Sequence, residues 1–251
     1  MAEEKKNDVV SAQEEAVEGA KDAEKSAKKA GKKKKWPIVV GIVAVVVVAA
    51  GAGFLVWHEQ PSFCNAICHT PMDAYYETYA DGTQDKYGNE LSGDEPSAMM
   101  AYLHQTADGT TCMDCHVPTL SEQITEGMNW VTGNYELAGT NQLGQAVLPE
   151  RNIDDLVEAR GIPSDEFCLN SGCHTNDDGS VMTRDDLIAA TADLDATYNP
   201  HDPKHGERAC SDCHKAHSQS VNYCTNCHSE APVPEGWLSA SQAKKLASGL
   251  E

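Results

Sequence analysis

Five histidines in this chain directly follow a cysteine, and each of these cysteines has a second cysteine a few residues upstream. The five motifs are C-N-A-I-C-H at 64–69, C-M-D-C-H at 112–116, C-L-N-S-G-C-H at 168–174, C-S-D-C-H at 210–214 and C-T-N-C-H at 224–228. Together they use all ten cysteines: Cys64, Cys68, Cys112, Cys115, Cys168, Cys173, Cys210, Cys213, Cys224 and Cys227. The pattern is typical of covalent haem c attachment, in which two thiols form thioethers and the adjacent histidine ligates the iron. The sequence therefore predicts five haems, whose first axial ligands are His69, His116, His174, His214 and His228.

The rival interpretations are zinc ribbons and disulfides. Zinc ribbons use paired C-x-x-C units, but zinc does not require a histidine after every second cysteine. Disulfides account for the even number of cysteines and leave the histidines unexplained. Two motifs have longer spacings, because three residues separate Cys64 from Cys68 and four separate Cys168 from Cys173. We expect the extra residues to loop out while both thiols reach the haem, with a single thioether at Cys64 as the alternative.

Each haem iron also needs a second axial ligand or an open position. Five histidines lie outside the motifs, which equals the number of motifs. We predict that four of them are second ligands: His104, His201, His205 and His217. Met72 is the predicted second ligand of the first haem, with His58 as the alternative, and a methionine ligand would raise the potential of that haem.

An uncharged apolar segment precedes the motifs at 36–57 and contains 22 residues. As a helix it would be about 33 Å long, enough to cross a bilayer. Trp36 and Trp57 stand at its two ends, and lysines at 28, 29 and 32–35 lie on its N-terminal side. The positive-inside rule therefore predicts a single-pass anchor in the cell membrane, with a cytoplasmic N-terminus and extracytoplasmic haems. The rival is a cleaved signal peptide, which the long apolar stretch disfavours.

Charge is distributed unevenly along the chain. Residues 1–35 hold 10 lysines and 8 acidic residues, and we interpret them as a charged, solvated cytoplasmic tail. The remaining residues carry 9 basic and 31 acidic side chains, a net charge of −22. Such a surface repels nucleic acid and steers the protein towards a basic partner, and it equally keeps the domain soluble.

The 194 residues that follow the apolar segment leave little polypeptide for an aliphatic core around five haems. We predict a mostly α fold with little regular structure, wrapped around stacked haems, plus one N-terminal transmembrane helix. Helical spacing occurs at 121–131, 153–160 and 184–194. Ser121 and Thr183 are the predicted N-caps of the first and third segments. The stretch 82–95 has the composition of an exposed loop.

Two modules are predicted outside the membrane. The first, 58–160, carries two motifs, and the second, 161–251, carries three. Gly161, Ile162 and Pro163 mark the boundary between them. No sequence period beyond the haem motifs is regular enough to predict a structural repeat.

Two longer stretches carry a family resemblance. The anchor is followed by P-S-F-C-N-A-I-C-H-T-P-M at 61–72, then His104, then C-M-D-C-H-V-P at 112–118. In these features the first module resembles the membrane-anchored quinol dehydrogenases of the NapC/NrfH family, although that family usually has C-x-x-C-H at its first haem. The second module is similar to the tetrahaem domain of flavocytochrome c fumarate reductases, through N-P-H-D-P-K-H-G-E-R-A-C-S-D-C-H-K-A-H at 199–217 and Y-C-T-N-C-H at 223–228. The chain has no G-x-G-x-x-G flavin fingerprint.

The resemblance implies a membrane-anchored pentahaem cytochrome c that takes electrons from membrane quinol and passes them to an extracytoplasmic reductase. Menaquinol is the expected donor because bis-histidine haems have low potentials, and a separate flavoprotein is the expected acceptor. His58 and Asp73, close in sequence to the first motif, are candidate acceptors of the quinol protons. The sequence leaves open whether the chain counts as an enzyme.

Two rival functions remain at this stage. A terminal multihaem reductase of a small oxyanion would need one five-coordinate haem facing a pocket. A tethered wiring cytochrome would need no quinol site.

Overall fold

The computed structural model describes residues 35–67, 69–195 and 197–251. The described residues include only the last residue of the predicted tail, and they exclude Cys68 and the side chain of His69. The chain divides after Phe54 into two compact units, the second of which is Leu55–Glu251. The predicted division near residue 161 stays a prediction.

The apolar segment forms helix α1, Trp36–His58, whose last turn belongs to the second unit. Its 23 residues span about 34 Å at the usual rise of an α-helix. None of its side chains is buried, so the apolar surface is available to lipid. The helix is a candidate membrane span by length and composition. A valine-rich run is a weak helix former in water, but in a bilayer the backbone must hydrogen-bond internally.

The second unit is mostly helical with little sheet, as predicted. Its described residues form ten α-helices: α2 Pro61–Ile67, α3 His69–Ala80, α4 Met100–Asp108, α5 Cys112–Cys115, α6 Leu120–Thr132, α7 Ile153–Val157, α8 Ser164–Cys168, α9 Arg184–Ala190, α10 Cys210–Cys213 and α11 Ala240–Ala247. Short 3-10 helices occur at Pro96–Ala98, Glu158–Arg160 and Tyr223–Asn226. The strands have two residues each: β1 Gly139–Thr140, β2 Ala146–Val147, β3 Val221–Asn222 and β4 Leu238–Ser239. β1 pairs antiparallel with β2, and β3 pairs parallel with β4.

The three predicted helices are present with different ends. The first is α6, and Thr119 caps it rather than Ser121, because the Thr119 hydroxyl accepts from the Glu122 amide and the Glu122 carboxylate accepts from the Thr119 amide. The second is α7 followed by a 3-10 turn. The third is α9, which Thr183 caps as predicted but which ends at Ala190.

The prediction that 82–95 is an exposed loop holds for residues 92–94 but is wrong for the turn that precedes them. Asp85 is fully buried and Lys86 nearly so. The Asp85 carboxylate accepts hydrogen bonds from the amides of Tyr87 and Asn89, which turns the chain back on itself. The segment is therefore a folded hairpin turn rather than a solvated connection.

This turn occurs three times, at irregular intervals along the chain. In each copy an Asp or Asn lies three residues before a glycine: Asp85 before Gly88, Asn141 before Gly144, and Asn176 before Gly179. In every copy the carbonyl of the Asp or Asn accepts from the glycine amide. The amide of the Asp or Asn donates to the carbonyl of the residue after the glycine. All six hydrogen bonds are 2.8–3.0 Å long. The three glycines have φ of 81°, 78° and 83°, a region that side chains disfavour.

The apolar core is sparse, as the predicted fold class requires. The buried hydrophobic residues in the described part of the chain are mostly small: Ala74, Ala98, Met99, Val147, Val157, Val221, Ala231, Leu238 and Ala240. Val221, Leu238 and Ala240 form one cluster, against which Ala243 and Leu246 pack. Haem would supply apolar surface that the side chains do not.

Segment 214–221 runs through the middle of the second unit and connects its two predicted modules. The carbonyl of His217 accepts from the Lys86 amide at 2.8 Å, and that of Lys215 accepts from the Met100 amide at 2.9 Å. The fully buried Ser220 donates from its amide and its hydroxyl to the carbonyl of Ala98, at 2.9 and 2.6 Å. The chain on either side of residue 161 thus forms one packed body.

Candidate haem sites

The three C-x-x-C-H motifs share one backbone geometry. In each, the amide of the histidine donates to the carbonyl of the first cysteine, at 2.8 Å for His116, 2.9 Å for His214 and 2.9 Å for His228. Two of the motifs are single helical turns, α5 and α10, and the third begins within the 3-10 turn Tyr223–Asn226. This geometry brings both thiols and the histidine of a motif to one compact turn.

The longer third motif closes with a similar hydrogen bond. The amide of His174 donates to the carbonyl of Cys168 at 3.4 Å, although four residues separate the two cysteines. The extra residues form a side loop in which the amides of Gly172 and Cys173 bond to Asn170, at 2.8 and 3.1 Å. The predicted looping out of the extra residues is therefore found in the third motif.

Four motif histidines each face one of the histidines outside the motifs. The ring centroids are 6.3 Å apart for His116 and His217, 6.4 Å for His214 and His201, 6.3 Å for His228 and His205, and 6.1 Å for His174 and His104. An iron–imidazole bond of about 2 Å on each side, and about 1.1 Å from ring nitrogen to ring centroid, would separate two axial imidazoles by about 6 Å. The four pairs are therefore spaced to ligate one iron each.

The relative orientation of the rings distinguishes one pair from the others. The ring planes are inclined by 24° for His116 and His217, 14° for His214 and His201, and 11° for His228 and His205. The planes of His174 and His104 cross at 88°.

Three of the non-motif histidines have a hydrogen bond that holds Nδ1. His104 Nδ1 lies 2.8 Å from the Met100 carbonyl, His201 Nδ1 lies 3.2 Å from Thr191 Oγ1, and His217 Nδ1 lies 2.7 Å from Thr78 Oγ1. A proton fixed on Nδ1 leaves the other ring nitrogen available to a metal.

Burial keeps two of these imidazoles, His217 and His214, neutral. It lowers the pKa of His217 to about 3, with smaller contributions from His116 and Lys86. Burial also lowers the pKa of His214 to about 4, helped by His201, His174 and His104. Neutral imidazole is the form that binds metal, so these rings are ready to ligate at neutral pH.

Thiols of different motifs lie side by side. A hydrogen bond links the thiols of Cys112 and Cys64, and another links those of Cys168 and Cys210. These bonds lower the pKa of Cys64 to about 7 and that of Cys210 to about 7. The first motif therefore adjoins the second, and the third adjoins the fourth.

The first motif lies close to the end of α1. His58 is the last residue of that helix, its Nδ1 is 3.4 Å from Glu59 Oε1, and its ring centroid is 4.8 Å from that of Phe63. His58 also acts electrostatically on the Cys64 thiol. The structure thus brings His58 to the first motif.

Met72 and Asp73 are half-buried in α3, which begins at His69. Ligation of the first haem by Met72 stays a prediction. The Asp73 carbonyl accepts from Gln145 Nε2 at 3.3 Å, which attaches this part of α3 to the second hairpin turn. The role of the Asp73 carboxylate stays a prediction.

The sequence does not reveal which histidines face each other. His104 lies just before the second motif but faces His174 of the third, whereas His217 follows the fourth motif but faces His116 of the second. Each predicted module thus contributes a histidine to a pair with the other. No sequence spacing signals this exchange, because it depends on how segment 214–221 packs against residues 86–101.

Cysteine pairs on single turns, each followed by a histidine that faces a second histidine at the distance of an iron-bridged pair, define a c-type cytochrome with covalently bound haem c. A cytochrome c3 family profile matches residues 155–229, which include the last three motifs. The residues present therefore fit the group.

The cytochrome c-type protein Cgr1 of Eggerthella lenta is 59% identical to this chain over 217 residues, which are 85% of this chain and 91% of that protein. The chain belongs to the family of that c-type cytochrome. No solved structure matches the chain.

Proposed function

We propose that the chain is a membrane-anchored pentahaem cytochrome that carries electrons from membrane menaquinol to an extracytoplasmic reductase. The observation that carries this proposal is the set of four histidine pairs, each 6.1–6.4 Å apart between ring centroids. Haem c bound at these positions supplies one-electron chemistry.

The ligand sets follow from the pairs and the motifs. Four haems are assigned bis-histidine ligation by His116 with His217, His174 with His104, His214 with His201 and His228 with His205. The fifth is held at Cys64, Cys68 and His69, with His58 or Met72 as its second ligand. Of the two, Met72 is kept as the ligand, because His58 is assigned to the quinol.

The arrangement suits a relay better than a terminal reductase. Two facing histidines leave no open position for a substrate at four of the five sites. Contacts between the thiols of neighbouring motifs bring haem attachment points together, as electron transfer from site to site requires. The relay role does not exclude quinol dehydrogenase activity at the first site.

The quinol site is proposed at the end of α1. A quinol dissolved in the bilayer releases two protons with its two electrons, so a base is needed close to the membrane surface. His58 ends the candidate membrane span, contacts Glu59 and lies close to Cys64. We assign the proton acceptor to His58 and keep Asp73 as the second candidate. Orientation with the N-terminus in the cytoplasm rests on the lysines before α1.

The acceptor is proposed to be a flavin-containing reductase with a basic docking surface. The chain beyond residue 35 carries a net charge of −22, which favours encounter with a basic partner. The flavoprotein itself is inferred from the resemblance of the second module to the haem domain of flavocytochrome c fumarate reductases.

The first test is reduction of the full-length, detergent-solubilised holoprotein by a menaquinol analogue. Haems per chain are counted by intact mass, and the α-band is followed by stopped flow. We expect five haems and rapid reduction in the wild type. His58→Gln should retain five haems and slow reduction at least tenfold, a barrier increase of about 1.4 kcal/mol.

Dithionite provides the control, because it reduces haem without a quinol site. The wild type and His58→Gln should react with dithionite at the same rate. A holoprotein that dithionite reduces and menaquinol does not would reject the proposed donor. An unchanged quinol rate in His58→Gln would remove His58 from the mechanism. Asp73 would then be the remaining candidate proton acceptor, and Asp73→Asn would test it.

A further inference from the structure

His217 is held on three sides by the segment from Tyr75 to Lys86. Its ring is half-buried, and its carbonyl accepts from the Lys86 amide at 2.8 Å. Tyr75 meets the imidazole edge-on, with ring centroids 5.1 Å apart and planes at 86°. The hydroxyl of Thr78 lies 2.7 Å from Nδ1. His217 thus comes from the second predicted module but is oriented by α3 of the first.

The hydrogen bonds of Thr78 determine which atom carries the proton. Thr78 is fully buried, and its hydroxyl donates its one hydrogen to the Tyr75 carbonyl at 2.6 Å. The same oxygen must then accept from His217, so the proton lies on Nδ1. The other ring nitrogen keeps its lone pair, and the ring lies nearly parallel to that of His116.

We infer that Thr78 is a positioning residue that fixes the tautomer and the ring plane of His217 as the second axial ligand of the haem attached to Cys112 and Cys115. The inference rests on the proposed ligation of that haem by His116 and His217. A hydrogen bond accepted from Nδ1 makes an axial imidazole more basic, stabilises ferric iron and lowers the potential of the haem.

The interaction at Thr78 differs from those at the other two held histidines. His201 is 3.2 Å from Thr191, whose hydroxyl also bonds the Leu187 carbonyl and Asn199 at 2.8 Å each. His104 uses a helix carbonyl, which no side-chain substitution can remove. Among the described residues, the Thr78 hydroxyl bonds only the Tyr75 carbonyl besides His217, so Thr78 is the position where removing one oxygen disturbs the fewest other bonds.

The test compares Thr78→Val, Thr78→Ser and Thr125→Val in the full-length holoprotein. Valine keeps the shape and removes the acceptor, whereas serine keeps the hydroxyl. Thr125 is a matched control, because its hydroxyl donates to the Ser121 carbonyl at 2.9 Å in an exposed helix and contacts no imidazole. Low-spin ferric EPR and a spectroelectrochemical titration report the ligand plane and the potential of each haem.

Thr78→Val should change one low-spin EPR signal and raise one midpoint potential, while Thr78→Ser and Thr125→Val match the wild type. Loss of a single haem in Thr78→Val, with full loading in Thr78→Ser, also supports the inference. A fully loaded Thr78→Val protein with wild-type EPR and potentials would overturn it. Equal changes in the valine and serine variants would overturn it too, since they would show a packing effect.

A separate measurement shows whether the proposed bis-histidine ligation itself is wrong. Near-infrared magnetic circular dichroism of the oxidised wild type distinguishes bis-histidine haems from haems with other ligands. Fewer than four bis-histidine haems would refute the proposed pairs. Four such haems with an insensitive Thr78→Val variant would refute only the role of Thr78.

Discussion

At the scale of single residues, the angle between paired imidazoles distinguishes the haem sites. Three pairs are inclined by 11–24°, whereas His104 and His174 cross at 88°. Ligand planes decide how the iron d orbitals split, so a haem ligated by His174 and His104 would differ electronically from the other three proposed bis-histidine haems, although all four would have the same ligands. This difference is produced by position on the backbone and not by residue type.

The oxidised holoprotein should therefore give one strongly axial low-spin ferric EPR signal besides rhombic ones. Perpendicular imidazole planes make two d orbitals nearly degenerate and move the principal signal to lower field, while near-parallel planes give rhombic signals. His104→Ala should remove the axial signal and leave the rhombic signals in place. A wild-type spectrum with only rhombic signals would contradict the crossed geometry at His104 and His174.

Residue types alone predict the attachment chemistry but not the ligand pairs. Each motif can be read from five to seven consecutive letters, because thioethers and the first ligand come from one turn of chain. The second ligand depends on tertiary contacts, such as the Lys86 amide on the His217 carbonyl. Proximity in sequence would have assigned His104 and His217 to the wrong motifs.

At the scale of elements, the three hairpin turns share the same backbone hydrogen bonds. The second and first copies contact each other, because the Asn141 Nδ2 donates to the Lys86 carbonyl at 3.1 Å and Gln142 Nε2 donates to the Gly88 carbonyl at 2.6 Å. The Asn141 Oδ1 also accepts from the amides of Leu143 and Gln145. Asn141 thus stabilises its own turn and joins it to the first.

Asn141→Ala should destabilise the protein by about 2 kcal/mol, because it leaves buried backbone groups without partners. Asn176→Ala is the matched control at the same position of the third turn, which is more exposed, and should cost less than about 1 kcal/mol. The midpoint of urea unfolding, followed by tryptophan emission, measures both. Equal midpoints for the two variants would show that the link between turns contributes nothing.

These turns could have been predicted from the sequence. An Asp or Asn three residues before a glycine is a turn signal with a known mechanism, and the chain contains it at 85, 141 and 176. The long apolar helix and the Thr183 cap were predictable for similar local reasons. The burial of Asp85 was not, because it results from packing against the second turn.

At the scale of the whole molecule, Glu150 ties together parts of the chain from both sides of residue 161. Its carboxylate receives hydrogen bonds from Lys86 at 3.0 Å and from Lys215 at 2.7 Å. Burial alone would raise the pKa of Glu150, but the two ammonium groups hold it below its ordinary value. Lys215 directly follows the fourth motif, so the bridge fixes that motif relative to the first turn.

The contribution of Glu150 to stability should disappear in acid. A carboxyl whose pKa is lower in the folded protein stabilises it above the unfolded pKa, near 4.5. That stabilisation is lost as the pH falls from there through the lower folded pKa. Because the carboxylate is about half exposed, we expect Glu150→Gln to cost only about 1 kcal/mol at pH 7.

The measurement is the urea midpoint of the wild type and Glu150→Gln between pH 3 and pH 7. The gap between the two proteins should be present at pH 7 and close below pH 4. Glu235→Gln, on the exposed segment before Trp237, should follow the wild type throughout. A gap that is independent of pH would show that Glu150 acts through its shape and not its charge.

The exchange of histidines between the two halves has a consequence for biosynthesis. A ribosome that adds about 5–20 residues per second completes segment 214–221 roughly 5–20 s after the turn that carries His116. During that interval His116 of the second motif lacks its partner His217. His104 likewise lacks its partner until His174 of the third motif has been made. The second site can therefore be completed only about a hundred residues after its own motif has been made, once most of the chain exists.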